Sequence, residues 1–281
     1  MAYPEKWRET ADPFSLPLRK FKITEILGYP HAGNDVFHVG GIWERKPCRA
    51  YIKVERQKGA DIQNEAETIA RLPFDFAPKV LEYFPKEPRT LVTLEAKGER
   101  LSAVVGDNRD RTSLAYMKAY GRTLATLHGW RIACEKVKHR DYFDIPGEAY
   151  FKEQGLERVG EFLMRNPPEG ETACFVHGDF HYANVLWDGP RIGCVLDFEL
   201  SGEGIREFDI AWALVLRPGQ RFLKTREERN LFLAGYSEAQ TFSKRAFCYY
   251  YALIACRFFS MGDAEYKNEL KRILNEIMLP D

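Results

Sequence analysis

Phe175-Val176-His177-Gly178-Asp179 opens a stretch in which two short apolar runs enclose a polar loop, with Asn184 five residues after Asp179. Val185-Leu186-Trp187 closes the loop, and a second acid, Asp197, ends the next apolar run. Two carboxylates and an amide at strand ends are hard oxygen donors of the type Mg²⁺ takes together with phosphate oxygens. Phosphoryl transfer asks little covalent work of a protein. It needs an aligned acceptor hydroxyl, metal on the phosphate oxygens and cations against the developing charge. In that chemistry Asp179 orients the hydroxyl and takes its proton, and Asn184 and Asp197 ligate the metal. Singly, each residue has an ordinary structural use in turns or at strand ends. Their occurrence together, in this order, favours the chemical reading.

The elements that must hold these groups fall into two compositional regions. From Phe21 to about Leu94 the chain is β-rich: Ile23 to Leu27 and Val36 to Trp43 read as strands joined by a Gly/Asn-rich loop, Gly28 to Asp35. Arg49 to Glu55 alternates, so Tyr51 and Lys53 share one face and Ile52 and Val54 the other. Asp61 to Leu72 reads as a helix with Ile62, Ala66, Ile69 and Ala70 on one side, and exposure is the default expectation for Glu65 and Glu67. Val80 to Tyr83 and Thr90 to Leu94 are two further strands. Lys53 can hold α- and β-phosphates if a carboxylate such as Glu65 fixes it.

After residue 98 the pattern turns helical: Ser113 to His128, Glu148 to Arg165 as one helix, a hairpin around Asp188-Gly189, then helices near 209–216, 225–238, 242–261 and 270–278. Thr225 and Glu228 form a capping box. The expected organisation is an α+β, bilobal protein-kinase-like fold: an N-terminal nucleotide-binding lobe over 1–94 with an irregular leader over 1–20, a hinge at 95–98, and a C-terminal catalytic and acceptor-binding lobe over 99–281 with a small sheet at the cleft.

Composition narrows the partners. The 281 residues carry 41 basic and 41 acidic side chains, so no global field draws the chain to nucleic acid or to an anionic membrane. The N-terminus lacks the apolar core of a signal peptide, and the apolar run Phe247 to Cys256 is too short to span a bilayer. Six scattered cysteines, none in a C-x-x-C, fit a reducing cytoplasm. In the run from Phe247 to Tyr251, with Phe258 and Phe259, the aromatic rings suit either a box around a quaternary amine or, more ordinarily, the core.

His177-Gly178-Asp179 followed by Asn184 resembles the H-G-D-x-x-x-x-N loop of the aminoglycoside phosphotransferase/choline kinase-like family, distant relatives of protein kinases. Val195-Leu196-Asp197-Phe198-Glu199 resembles its metal-binding segment. Gly202 to Ala211 is similar to the pattern that follows, with Arg206 where a proline usually stands. Tyr51-Ile52-Lys53 with Glu65 resembles the phosphate-anchoring lysine and its helical partner, and Leu91 to Gly98 resembles the hinge. The glycine loop departs from the family, with Ala32-Gly33 in place of the usual serine. The resemblance implies ATP or GTP as phosphate donor, Mg²⁺, and a small-molecule hydroxyl acceptor such as an aminoglycoside or choline. It also implies that the backbone of Leu94 and Ala96 meets the base, that Tyr51 lies against it, and that Asp209 is a structural tie. A peptide kinase is disfavoured because no A-P-E segment or long activation loop separates Asp197 from Asp209. A pseudokinase is disfavoured because the polar groups are all present.

Overall fold

A computed structural model of the protein describes residues 10–30, 33–56, 59–106 and 113–278. Residues 1–9 of the expected leader and Ala32 of the expected phosphate loop lie outside the described residues. The chain divides into two compact units, Met1–Gly98 with Gly193–Leu200, and Glu99–Ile192 with Ser201–Asp281. Gly193–Leu200 thus group with the first unit, although the residues on either side of them in sequence belong to the second.

The first unit is an antiparallel sheet of β1 (Phe21–Gly28), β2 (Asp35–Trp43), β3 (Lys46–Val54), β4 (Val80–Phe84) and β5 (Thr90–Leu94), in the order β1-β2-β3-β5-β4. Strand alternation assigns its two faces. Phe37, Val39, Ala50, Ile52, Val54, Leu81 and Val92 form a buried core on one side, and Leu16 and Leu18 of the leader pack against it. The other side carries Lys53, which pairs in register with Val36 and Leu91, and Tyr51, which pairs with His38 and Thr93. Glu82 ties the leader down by accepting the amides of Arg19, Lys20 and Phe21 at 2.7–2.9 Å.

Helix α1 (Ile62–Arg71) starts where Asp61 caps it, accepting the Asn64 amide at 3.0 Å. Its inward stripe differs from the expected one: Ala70 is exposed, whereas Glu65 is buried among Ile62, Ala66 and Ile69. A carboxylate on an inward helical face requires a buried counter-charge, and β3 supplies it.

In the second unit β6 (Glu99–Arg100) pairs with β8 (Val185–Asp188), and β7 (Ala173–Val176) pairs antiparallel with β10 (Gly202–Ile205), a strand the sequence pattern did not disclose. Strand β9 (Arg191–Val195) carries the chain from Ile192 to Gly193. The short α2 (Leu101–Val104) is followed by α3 (Leu114–His128), which lies against α7 (Arg226–Ser237). Two glycines permit their close approach: a Cβ at Gly121 would stand 2.0 Å from the Phe232 carbonyl oxygen, and one at Gly235 2.2 Å from that of Lys118. The single helix expected from Glu148 to Arg165 is two, α4 (Glu148–Gln154) and α5 (Glu157–Arg165). Gly155 at φ 62° ends the first in the left-handed region that glycine enters freely. Helix α6 (Arg206–Leu214) is buried along its length. In α8 (Lys244–Phe259) Phe247, Tyr251 and Phe259 are at most 3% exposed, so these rings build core. Helix α9 (Ala264–Met278) closes the chain. Among the described residues no helix is long and apolar enough to cross a membrane.

Glu228 is the most heavily bonded carboxylate of this unit. Beyond its capping box with Thr225, it accepts from the Ser113 amide (2.6 Å) and hydroxyl (2.7 Å) and from the Leu223 and Lys224 amides. Burial opposes its charge, but these bonds win and its pKa lies below the ordinary value. The stabilisation is therefore present at neutral pH and is lost as pH falls through the depressed folded-state pKa. Glu228→Gln is expected to cost about 1.5–3 kcal/mol at pH 7, because bonds to a charged acceptor are replaced by weaker ones. In urea denaturation the deficit should shrink as the pH is lowered below about 4. A pH-independent difference would show that the charge is not what matters.

Candidate active site

In the first unit, β3 delivers Lys53 into a ring of acids. Its Nζ lies 2.8 Å from Glu65 Oε2, 2.6 Å from Asp197 Oδ1 and 2.9 Å from Glu199 Oε2. Glu65 comes from α1, and Asp197 and Glu199 from the single turn after β9. Asp197 takes φ 66°, a conformation that Asp tolerates better than most residues and that costs backbone energy wherever it occurs. Burial opposes the lysine's charge, yet Glu65, Asp197 and Glu199 outweigh it and raise its pKa. Burial pushes the Glu65 carboxyl up to about 7 against the pull of Lys53. Asn34 steadies the arrangement by donating to Glu199 Oε2 at 3.0 Å, and Asn64 donates to the Glu199 carbonyl.

Three carboxylates face one ammonium here, with oxygens all within 4.8 Å of one another. One lysine leaves negative charge in excess, and like charges held this close raise each other's energy unless a cation joins them. An all-oxygen donor set, part buried and part open, fits a hard divalent ion such as Mg²⁺. Asp197 is the more open of the acids, with its side chain 40% exposed.

The second unit holds Asp179 and Asn184 together. Between β7 and β8 the loop turns at Gly178, whose φ of 80° favours glycine. The Asn184 amide donates to the Asp179 carbonyl (3.0 Å) and to its Oδ2 (3.1 Å). The Trp212 indole N–H donates to Asp179 Oδ1 at 2.7 Å. Burial would raise the Asp179 pKa, but the hydrogen bond and charge of His181, with Arg217 and His177, hold it down to about 2. An ionised carboxylate has about four acceptor positions, so room remains for a substrate hydroxyl.

Helix α6 places these partners. Asp209 and Trp212, three apart, share a helical face. Asp209 accepts the His177 and Gly178 amides at 2.9 and 3.1 Å and lies 3.1 Å from buried His128 Nε2. His177 turns its ring back, accepting the Asp179 amide on Nδ1 at 3.2 Å. A carboxylate this acidic stays ionised through the working range. The pH profile of turnover is therefore expected to show no inflection from Asp179 between about pH 5 and pH 8. An acid limb in that range that disappears in Asp179→Asn would contradict this.

Tyr51 stacks on His38, ring centroids 4.6 Å apart and 11° from parallel, and His38 Nε2 is 2.8 Å from Glu95 Oε1. The Leu94 amide is occupied by the Lys79 carbonyl at 2.8 Å, and the Glu95 amide by that of Arg49 at 2.9 Å. Leu94 and Ala96 thus lie at and just beyond the end of β5.

Several residues of these clusters received no role of their own from the sequence. Glu199 had a signal, its position two residues after Asp197. Trp212 had one only once the helical face shared with Asp209 was known. Arg217, which helps hold the Asp179 pKa down, had none.

The family model described as "Phosphotransferase enzyme family" matches residues 88–247, more than half of the chain. No curated protein sequence matches it. Among solved structures, a hygromycin B-bound aminoglycoside phosphotransferase with AMP-PNP aligns at 13% identity and TM-score 0.62, covering 92% of this chain and 94% of that one. A spectinomycin phosphotransferase bound to ADP and spectinomycin aligns at 12% identity and TM-score 0.59, covering 94% and 98%. A choline kinase of Streptococcus pneumoniae aligns at 15% identity and TM-score 0.58, covering 92% and 94%. These likenesses identify the fold as α+β and protein-kinase-like, with a β-sheet N-terminal region and a helical C-terminal region.

Proposed function

This chain belongs to the phosphotransferase enzyme family, and from that premise we propose that it transfers the γ-phosphate of ATP to a hydroxyl of a small molecule. The observation that carries the reading is Asp179, an ionised carboxylate held on one oxygen by Trp212 and on the other by Asn184. In the reaction the acceptor oxygen bonds to the γ-phosphorus, and the bond from that phosphorus to the β–γ bridging oxygen breaks. The electron pair leaves with the nucleoside diphosphate. Asp179 orients the acceptor hydroxyl and takes its proton, and clamping on both oxygens keeps the carboxylate oriented without reorganisation during transfer.

Residues 1–94 are assigned the nucleotide, 95–98 the hinge, and 99–281 catalysis and the acceptor. Lys53, fixed by Glu65, contacts the α- and β-phosphates. Tyr51 lies against the base, and the backbone of Leu94 and Ala96 meets its edge. Asp197 and Asn184 are the metal ligands, and the position of Glu199 beside Lys53 supports adding it to Asp197. Mg²⁺, when bound, offsets phosphate charge. GTP is the alternative donor; guanine reverses the donor and acceptor positions of adenine, so it requires a shifted set of contacts along the same backbone. The six free cysteines suit a cytoplasmic location.

The test is incubation of the full chain with MgATP and a small-molecule extract, read by mass. The expected result is an ion heavier by one phosphate that requires ATP and is abolished by a chelator. Phosphate release without any phosphorylated compound would contradict the proposal. Transfer that persists in the chelator would remove the metal assignments.

A further inference from the structure

Two arginines of the second unit converge on the tryptophan that holds Asp179. Arg140, just before the turn Asp141–Phe143, places its guanidinium carbon 5.0 Å from the Trp212 ring centre and 5.5 Å from those of Phe143 and Phe208. Arg217, just past α6, places its own 5.2 Å from Trp212 and 5.4 Å from Phe258. Most arginines of this unit that lie near an acid are paired with one, as Arg229 is with Glu276 and Arg221 with Glu265. These two are not. Among the described residues the Arg217 guanidinium donates only to the Val215 and Trp212 carbonyls, at 3.3 and 3.0 Å. The Arg140 guanidinium makes no hydrogen bond or ion pair among the described residues, and only its backbone carbonyl is bonded, to the Phe143 amide at 2.9 Å. Both are half-buried. Burial lowers the pKa of each, and Asp179 is the foremost charge acting the other way on both.

Half-buried guanidinium groups ordinarily have an anionic partner. Here the one shared carboxylate, Asp179, is already engaged by Trp212 and Asn184. The aromatic faces that could receive a cationic substrate are covered by the chain's own cations. The region around Asp179 therefore repels an ammonium group and leaves N–H donors for oxyanions, which guanidinium binds in a two-pronged geometry.

We propose that the acceptor is an alcohol that also bears an anionic group, a carboxylate or a phosphate, which Arg140 and Arg217 bind while its hydroxyl lies at Asp179. This rests on the phosphotransfer reading and specifies its substrate class. A phosphate on the acceptor remains where it is, and the γ-phosphate joins the hydroxyl as a second ester.

The experiment separates a small-molecule extract by charge, presents each fraction to the full chain with MgATP carrying labelled γ-phosphate, and identifies the labelled product as a carboxylate or a phosphate ester. The label is expected in product from the anionic fraction. With the purified acceptor, Arg140→Gln and Arg217→Gln are each expected to raise KM at least about tenfold, with the smaller effect on kcat. Thermal melting checks that both variants fold. Labelled product from the cationic or neutral fraction alone would overturn the proposal. So would a fall in kcat at unchanged KM, which places the arginines on the transferred phosphoryl group. If no fraction gives product, the phosphotransfer reading itself fails, and titration with inorganic phosphate, followed by tryptophan fluorescence, decides the arginine pair. A saturable change lost in both variants retains the anion site; no saturable change removes it.

Discussion

Asp179→Asn is expected to lower kcat by about 10²–10⁴-fold, the contribution of a positioned general base, with the smaller change in the KM for ATP. Asparagine is close in shape, so the Trp212 N–H can still find an oxygen at the Oδ1 position, now 2.7 Å from Asp179. The second position becomes an amide that faces the Asn184 amide donor across what is now a 3.1 Å contact. The base is thereby removed and one clamp turned repulsive, while nothing in the first unit changes. Initial rates at saturating nucleotide check it. A kcat within about threefold of wild type would remove Asp179 as the base.

Lys53→Met is expected to be the most damaging change in the first unit, through two effects of different kind. Turnover should fall by about 10²–10³-fold, the usual cost of losing one preorganised charged donor to a developing anion. Stability should also fall, by about 3–5 kcal/mol at pH 8, because removing one partner of a buried ion pair leaves the other charge uncompensated. Glu65 has 7% of its side chain exposed, and Asp197 and Glu199 have the same lysine as their near cation. Burial already raises the Glu65 pKa, and Lys53 is what restrains it. In the variant that restraint is gone, so folded Glu65 holds a proton to higher pH than the unfolded chain does. Folding then gains stability as pH falls through that raised pKa toward the unfolded value. Urea denaturation at two pH values reads this directly: the deficit should be larger at pH 8 than near pH 5. A deficit that grows on acidification would contradict the charge assignment.

Several elements were plain in the sequence because local pattern decides them. The alternation over Tyr51 to Val54 puts Lys53 on the face opposite Ile52 and Val54, as found. The capping box at Thr225 and Glu228 starts α7 where expected. What escaped depends on contacts distant in sequence. Glu65 looks exposed on a short helix, and only a lysine on a strand explains its burial. Glu148 to Arg165 has continuous helical periodicity, but Gly155 in a left-handed conformation divides it. Strand β10 is four residues rich in glycine, Gly202–Ile205, and has no propensity to announce it before β7 is present as a template. Trp212, Arg140 and Arg217 are unremarkable singly, because their meaning lies in packing around one carboxylate.

The central claim, transfer of a phosphoryl group to an alcohol with Asp179 as base, is tested most directly by single-turnover transfer of the labelled γ-phosphate of ATP. Wild type and Asp179→Asn are compared at saturating nucleotide and acceptor extract. The expected result is label on a small-molecule ester in wild type and a rate at least about 10²-fold lower in the variant, with nucleotide still bound. Equal rates in the two proteins, or label recovered only as inorganic phosphate, would contradict it.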